Sequence, residues 1–283
     1  MLFNKIFFLI LVFYIVRVNT IAQIEYGSHH GKYITIFNSK VYYEEYLPGS
    51  KSVKNTIPLL LFHGGMGSIA DFKKCIPGLS NKFRVIAIDA PGLGRSAFAD
   101  TALTYSLMAR YYSAMIDQLK LDSAFVIGWS DGGISGLLLA HQRPDKIKKL
   151  VAVGINRTLD GLLGMEDAEQ TFLNPDWAEK NMKQWINKYT SLSPTGNWKR
   201  YMQECKNMWM SKEYFPKQIL DEINIPVLVC IGDHDEVKMD HAIEIKNSIR
   251  NSQFCVLPNC SHFVFSEKPA LINRIAMDFL AGQ

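Results

Sequence analysis

The longest unbroken apolar run in the chain, Ile6 to Val16, has only 11 residues, short of the roughly 20 that a bilayer-spanning helix needs. No block of Lys and Arg stands out and the formal charge is a mild +4, so nothing points to nucleic acid. No G-x-G-x-x-G follows an apolar strand, which leaves no signature of a dinucleotide site. The five cysteines, Cys75, Cys205, Cys230, Cys255 and Cys260, are odd in number and form no C-x-x-C pair, so no zinc ribbon or redox motif is present. His234 stands between Asp233 and Asp235 but has no further ligand set, which is too little for a metal site. Repeats and low-complexity tracts are absent as well.

Apolar residues make up 48% of the 283 positions and charged residues 20%, a globular balance with ample material for a core, in one large domain or two small ones. Residues 1–22 read as a targeting segment: Lys5, then the apolar run, then Thr20-Ile21-Ala22 with small residues at the third and first positions before a cut. The expectation is an exported protein, periplasmic or secreted, that starts at Gln23 and keeps no stable membrane anchor; an uncleaved anchor is the alternative. Cys230 lies in an apolar strand-like run and reads as buried. Cys255 and Cys260 are close enough in sequence to form a bridge, and the other cysteines read as structural thiols.

The pattern that organises the chain is Gly128-Trp129-Ser130-Asp131-Gly132. Ala124 to Ile127 before it reads as a buried strand, and the small and apolar residues from Gly133 to Ala140 suit a tightly packed helix. Strand, G-x-S-x-G, helix is the context of a nucleophile elbow, where a serine sits exposed on a sharp turn. Gly128 and Gly132 would let strand and helix approach closely because they lack a Cβ. The five residues alone arise by chance in roughly one chain of this length in ten, so the neighbouring stretches have to support them.

They alternate. Lys32 to Phe37 and Val41 to Tyr46 read as two strands with the turn at Asn38-Ser39-Lys40. Pro58 to Phe62 is an apolar strand ending in His63-Gly64-Gly65-Met66-Gly67-Ser68, and Phe83 to Asp89 another, ending in Ala90-Pro91-Gly92-Leu93-Gly94-Arg95-Ser96. Tyr105 to Leu119 has helical spacing, and Leu150 to Ile155 is again strand-like. Ile225 to Ile231 and Gln253 to Leu257 are the last strands, followed by Gly232-Asp233-His234-Asp235-Glu236 and Pro258-Asn259-Cys260-Ser261-His262-Phe263; Ala242 to Ile249 and Pro269 to Leu280 read as helices. Apolar strands separated by helices predict an α/β fold, a mostly parallel sheet covered on both faces, with its site at the carboxyl ends of the strands. The loops at His63, Asp89, Ser130 and Ile155 should then open onto one crevice. Residues 157–222 differ: they hold Trp177, Trp185, Trp198 and Trp209 and no strong strand. Helices are expected at Asp176 to Tyr189 and Asn197 to Met210, laid over the crevice as a cap after the sixth strand. That divides the mature chain into a core of 23–156 and 223–283 and a cap of 157–222, whose Met and Trp suit an apolar pocket wall.

The His-Gly-Gly turn at His63, DAPGLGRS from Asp89, GWSDGG from Gly128, GDHDEV from Gly232 and NCSHF from Asn259, in that order, resemble the α/β-hydrolase family over the whole mature length. GWSDGG also resembles the biphenyl-hydrolase-like esterases, among them valacyclovir-cleaving hydrolases. The resemblance implies a Ser-His-Asp triad: Ser130 as nucleophile, His262 as base and Asp235 as the acid that orients it, with Asp233 and Glu236 as rivals. It implies an oxyanion hole from the backbone N–H groups of Asp131 and Gly65, with Met66 in reserve for Gly65. His63 would hold the oxyanion loop rather than act as base, Asp89 would be structural, and His29-His30 would be solvated. Met66, Trp129 and Asp131 are the expected substrate contacts. A serine nucleophile favours an acyl-enzyme, hence hydrolysis of small carboxylic esters without metal, nucleotide or flavin; the resemblance implies a small-molecule substrate and a monomer or small homo-oligomer. Carbon–carbon bond hydrolysis or cofactor-free perhydrolysis on the same triad, or a non-catalytic binding role, are the alternatives. Asp131, a carboxylate beside the nucleophile, would attract a cationic amino group, as in aminoacyl esters, or else serve only the dipole at the start of the following helix.

Overall fold

The computed structural model describes Gly27 and residues 30–48 and 57–282; the targeting segment lies outside the described residues. Among the described residues eight strands form one sheet: β1 (Lys32–Ile36), β2 (Ser39–Tyr46), β3 (Leu59–Phe62), β4 (Val85–Ile88), β5 (Ala124–Trp129), β6 (Ile147–Val153), β7 (Val227–Gly232) and β8 (Ser252–Leu257). Their order across the sheet is β1-β2-β4-β3-β5-β6-β7-β8. The first two pairings, β1 with β2 and β2 with β4, are antiparallel and all the others are parallel. Ten α-helices occur among the described residues: α1 (Ile76–Ser80), α2 (Tyr105–Gln118), α3 (Asp131–Gln142), α4 (Pro175–Asn181), α5 (Lys183–Leu192), α6 (Trp198–Trp209), α7 (Gln218–Glu222), α8 (Met239–Ser248), α9 (Val264–Glu267) and α10 (Pro269–Ala281).

The unbroken apolar strands are explained by burial on both faces. Successive side chains of a strand point to opposite sides. Leu60 and Phe62 therefore join Val126, Leu150 and Ala152 in one core with α2 and α3. Leu59 and Leu61 join Ile127, Val151 and Val153 in a second core with α1 and α10. Phe62 and Tyr112 of α2 stack with ring centroids 3.8 Å apart. This is an α/β-hydrolase fold, with α4, α5, α6 and α7 lying between the sixth and seventh strands.

Three local expectations are corrected. The β1–β2 turn is Phe37-Asn38, not Asn38 to Lys40: Ile36 pairs with Ser39, and both turn residues have positive φ, 45° and 68°, as a two-residue hairpin turn of matching twist requires. The helix expected from Asp176 to Tyr189 is two helices, because Met182 leaves the helical region (φ −115°, ψ 33°). The first of them is started by Asn174, whose side chain accepts from the N–H groups of Asp176 and Trp177. The third concerns cysteine. Cys255 does not meet Cys260; it lies opposite Cys230 across β7 and β8, and all five thiols are free. Strand geometry sends residues 255 and 260 apart, since 255 is mid-strand and 260 lies in the loop beyond its end.

The contact between α3 and the sheet is close enough to exclude a side chain at Gly132. A Cβ on Gly132 would lie 2.2 Å from the Phe62 carbonyl oxygen and 2.6 Å from that of His63; backbone cannot yield that much. At Gly136, one turn on, the nearest atom would be a Leu150 methyl at 3.1 Å, which can rotate away. Gly132→Ala is therefore expected to lower Tm by about 5 °C or more. Gly136→Ala should stay within about 2 °C of wild type because the helix gains from alanine. Thermal unfolding of the two variants checks this.

Candidate active site

Ser130 stands between β5 and α3 with φ 51° and ψ −122°, a region that a residue with a Cβ avoids. The conformation is held from both sides. The Ser130 N–H donates to the Val153 carbonyl at 2.8 Å, and its own carbonyl accepts from Gly133 and Ile134 as the helix begins. A Cβ on Gly128 would lie 2.5 Å from the Gly132 carbonyl oxygen, so the strand must reach the turn without a side chain. Ser130 borders a cavity of about 780 Å³ together with Gly65, Met66, Asp131, Asp235 and His262.

His262 lies on the loop after β8, and Asp235 on the loop after β7. The Nδ1 of His262 is 2.7 Å from Asp235 Oδ1. Asp235, 8% exposed, also accepts from the N–H of Val237 at 3.0 Å and of Gly232 at 3.4 Å. An acid that accepts only must receive the Nδ1 proton, which leaves Nε2 of His262 as an acceptor at the cavity. Burial alone would lower the imidazole pKa, but the hydrogen bond and charge of Asp235 outweigh it, and the net direction is upward. Of its rivals, Asp233 faces away and accepts from the N–H groups of Asn259 and Cys260, 2.9 Å each; it holds the histidine loop. Glu236 is exposed at the cavity rim.

The loop after β3 carries the other side. The N–H groups of Gly65 and Asp131 have no protein acceptor among the described residues. The Met66 N–H, the alternative donor, is occupied by the Tyr201 hydroxyl at 2.9 Å. His63 is fully buried; its Nε2 accepts from the Ala90 N–H at 3.0 Å, so Nδ1 donates to the Gly64 carbonyl at 2.7 Å. It ties the β3 loop to the β4 loop. Asp89 does not reach the cavity: fully buried, it accepts from the N–H groups of Ile69 and Arg95, and burial raises its pKa. Met66 borders the cavity. Trp129 does too, but its indole N–H donates to the His262 carbonyl at 2.9 Å, so it supports the histidine loop as well. His234 is exposed, His30 is exposed, and no group of three His, Cys, Asp or Glu able to hold a metal occurs among the described residues.

Asp131 is 4% exposed. Its Oδ1 accepts from the Tyr105 hydroxyl at 3.0 Å, and Trp209 Nε1 reaches both carboxylate oxygens at 3.1 and 2.9 Å. Burial pushes its pKa up to about 6, while the Trp209 and Tyr105 hydrogen bonds pull the other way. Sequence reasoning missed Tyr105 and Trp209 as partners of this carboxylate. It also missed Gly154, at φ 60°, where a Cβ would lie 2.9 Å from the His262 ring. Gly154 ends the run Leu150-Val151-Ala152-Val153, and a glycine at the end of a buried strand is the signal that could have found it.

Comparison with known proteins agrees with this fold. The family model described as "alpha/beta hydrolase fold" matches residues 57–197. A 2-hydroxy-6-oxo-6-phenylhexa-2,4-dienoate hydrolase of Burkholderia cepacia is 28% identical over 79% of this chain and 87% of its own length. Among solved structures, a meta-cleavage product hydrolase of Pseudomonas fluorescens superposes with a TM-score of 0.71 at 18% identity, over 89% of this chain and 97% of that one. The carboxylesterase CesB of Bacillus subtilis gives 0.69 at 23% identity, over 89% and 92%. The chain belongs to the α/β-hydrolase family and is a hydrolase.

Two N–H groups on the Asp233 carboxylate hold its pKa below the ordinary carboxylate value. A depressed native pKa contributes stability above the unfolded value of about 3.9, and that contribution disappears as pH falls through the native pKa. Asp233→Ala should therefore lower Tm at pH 7, and the gap to wild type should narrow at pH 3. Paired thermal melts at the two pH values read both effects.

Proposed function

We propose that the protein is a serine esterase of small carboxylic esters, with a preference for those carrying a cationic amino group beside the scissile carbonyl. The observation that carries the reading is the serine at a strained turn on the same cavity as an aspartate-bound histidine. In the proposed reaction His262 Nε2 takes the Ser130 hydroxyl proton as Oγ bonds to the ester carbonyl carbon. The N–H groups of Gly65 and Asp131 receive the oxyanion. The tetrahedral intermediate collapses, the carbon–oxygen bond to the alcohol breaks, and His262 returns the proton to the departing alkoxide. Water, deprotonated by His262, then attacks the acyl-enzyme carbonyl; the bond to Ser130 Oγ breaks, His262 returns the proton to that oxygen, and the carboxylic acid is released. Asp235 keeps the imidazole in the tautomer that each step uses.

The relatives named for dienoate cleavage make carbon–carbon bond hydrolysis the second reading. A dienoate carries a carboxylate. The described residues lining this cavity include Asp71, Asp131 and Glu236 but no Lys or Arg, so an anionic substrate would bring a further negative charge among carboxylates. A neutral or cationic ester avoids that repulsion. Asp131 Oδ2 accepts from Trp209 alone, so it has room for a charge-assisted bond from an ammonium. It also lies against the oxyanion loop: a Cβ on Gly65 would be 2.4 Å from it.

Ser130→Ala and His262→Ala are each expected to lower p-nitrophenyl ester turnover by about 10⁴-fold or more, and their double variant to lose little further, because triad members act as a unit. Asp235→Asn should remove most of the activity and Asp233→Asn far less; the reverse order would make Asp233 the acid. In wild type, kcat/KM should rise with pH through a value above the 6.5 of an ordinary imidazole, since His262 must be neutral and its pKa is raised.

The amino-group preference has its own test, the ratio of kcat/KM for an aminoacyl ester and its des-amino analogue. The ratio should exceed one at pH 8, and fall towards one below about pH 6, where Asp131 becomes neutral. It should also fall towards one in Asp131→Asn at either pH. A wild-type ratio near one would make Asp131 a purely structural start to α3 and the protein a general carboxylesterase.

A further inference from the structure

Gly64 to Gly67 form a reverse turn, closed by the Gly67 N–H on the Gly64 carbonyl at 3.3 Å. Its third residue, Met66, has φ 56°, a position where glycine is the usual occupant. Among the described residues, the groups that bind the Met66 backbone come from the helices between β6 and β7. The Met66 N–H donates to the Tyr201 hydroxyl on α6 at 2.9 Å, and the Met66 carbonyl accepts from Trp185 Nε1 on α5 at 2.8 Å. Both polar groups of the strained residue are therefore bound by side chains from outside the sheet domain.

Those two side chains are themselves fixed. Tyr201 is fully buried, and its hydroxyl also bonds the thiol of Cys205, one turn further along α6. Its ring centroid lies 6.2 Å from that of Trp185 and 5.7 Å from that of Tyr189. Tyr189 in turn donates to the Gly92 carbonyl at 2.7 Å. The aromatic block thus spans the loops after β3 and β4.

The Gly65 N–H belongs to the peptide just before the two that carry the Met66 N–H and carbonyl. Fixing those two peptides, together with the Gly64–Gly67 bond, fixes the direction of the Gly65 N–H. We propose that Tyr201 and Trp185 are positioning residues of the oxyanion hole, aiming the Gly65 N–H at the Ser130 adduct by clamping Met66. The proposal rests on the reading of Gly65 as an oxyanion donor. It makes the oxyanion hole a joint product of sheet and cap, so that displacement of α5 and α6 would disable it while leaving Ser130, His262 and Asp235 in place.

The test uses Tyr201→Phe and Trp185→Phe in the full chain, with p-nitrophenyl butyrate as substrate. Loss of aim at one donor should lower kcat by about 10- to 100-fold, less than deletion of a donor outright, with KM within about twofold of wild type. Inhibition by an alkyl trifluoromethyl ketone, which forms an oxyanion adduct with a nucleophilic serine, should weaken by the same factor; inhibition by butyrate should not change. Adding Met66→Gly to Tyr201→Phe should restore much of kcat, because glycine adopts the left-handed turn without a clamp. Unchanged kcat would overturn the proposal, as would a fall in kcat and Tm together with unaltered ketone inhibition. The amide resonances of Gly65 and Met66 read the loop without any turnover: they should shift in Tyr201→Phe and return toward wild type in the double variant. Were wild type to hydrolyse no ester, the functional reading would fail, and these resonances alone would decide the clamp, with unshifted Gly65 and Met66 signals refuting it.

Discussion

The close approach of α3 to the ends of β5 and β3 is the constraint on which the site depends. Three backbones meet there, and the glycines at 128 and 132 exist because a Cβ at either would lie within 2.5 Å of a carbonyl oxygen. The approach forces the turn at Ser130 to φ 51°. A left-handed serine is unfavourable by itself, by about 1–3 kcal/mol, and persists only where its surroundings over-determine it. They do: β6 accepts its N–H, and α3 grows from its carbonyl. Ser130 and Asp131 both border the cavity that opens beside this crowded junction.

A site at strand ends gathers loops, and loops bring backbone polar groups that burial would strand. The structure meets this with single side chains that each bind two loop segments. His63 joins the loops after β3 and β4, Asp89 joins Ile69 to Arg95, and Asp233 joins the loop after β7 to the one bearing His262. Asp233 and Asp235 are two residues apart and divide the work: one holds the loop before the histidine at Asn259 and Cys260, the other holds its ring. Trp129 adds a third hold on the same loop through the His262 carbonyl.

Much of this was legible in the sequence because its causes are local. Unbroken apolar runs such as Leu59 to Phe62 require burial on both faces, and a glycine two places either side of Ser130 requires a tight turn. Of the four loops expected to share the crevice, those at His63, Ser130 and Ile155 contribute cavity residues and the one at Asp89 does not. What stayed hidden depends on contacts distant in sequence. Trp209 meets Asp131 from 78 positions away and Tyr201 meets Met66 from 135; a tryptophan-rich helical stretch announces packing but not its partner. The cysteines failed for a related reason. Nearness in sequence favoured Cys255 with Cys260, whereas parallel pairing sets Cys255 beside Cys230. Boundaries that hinge on one backbone angle, as at Phe37 and Met182, carry no compositional signal at all.

The carboxylate of Asp131 works against the oxyanion its own N–H would receive. At roughly 5 Å and an effective dielectric of about 20, two like charges repel by on the order of 3 kcal/mol. Tyr105 and Trp209 donate to the carboxylate and draw its charge toward the helices, yet burial still lifts its pKa to about 6, so the conflict is reduced rather than removed. An uncharged residue would serve the start of α3 with less strain on the reaction. Asparagine could keep an acceptor for Trp209 or Tyr105 and would remove the repulsion. A carboxylate in that place makes chemical sense when the substrate brings a positive charge, since a cation between carboxylate and oxyanion turns one repulsion into two attractions, and the second of them strengthens only as the oxyanion forms.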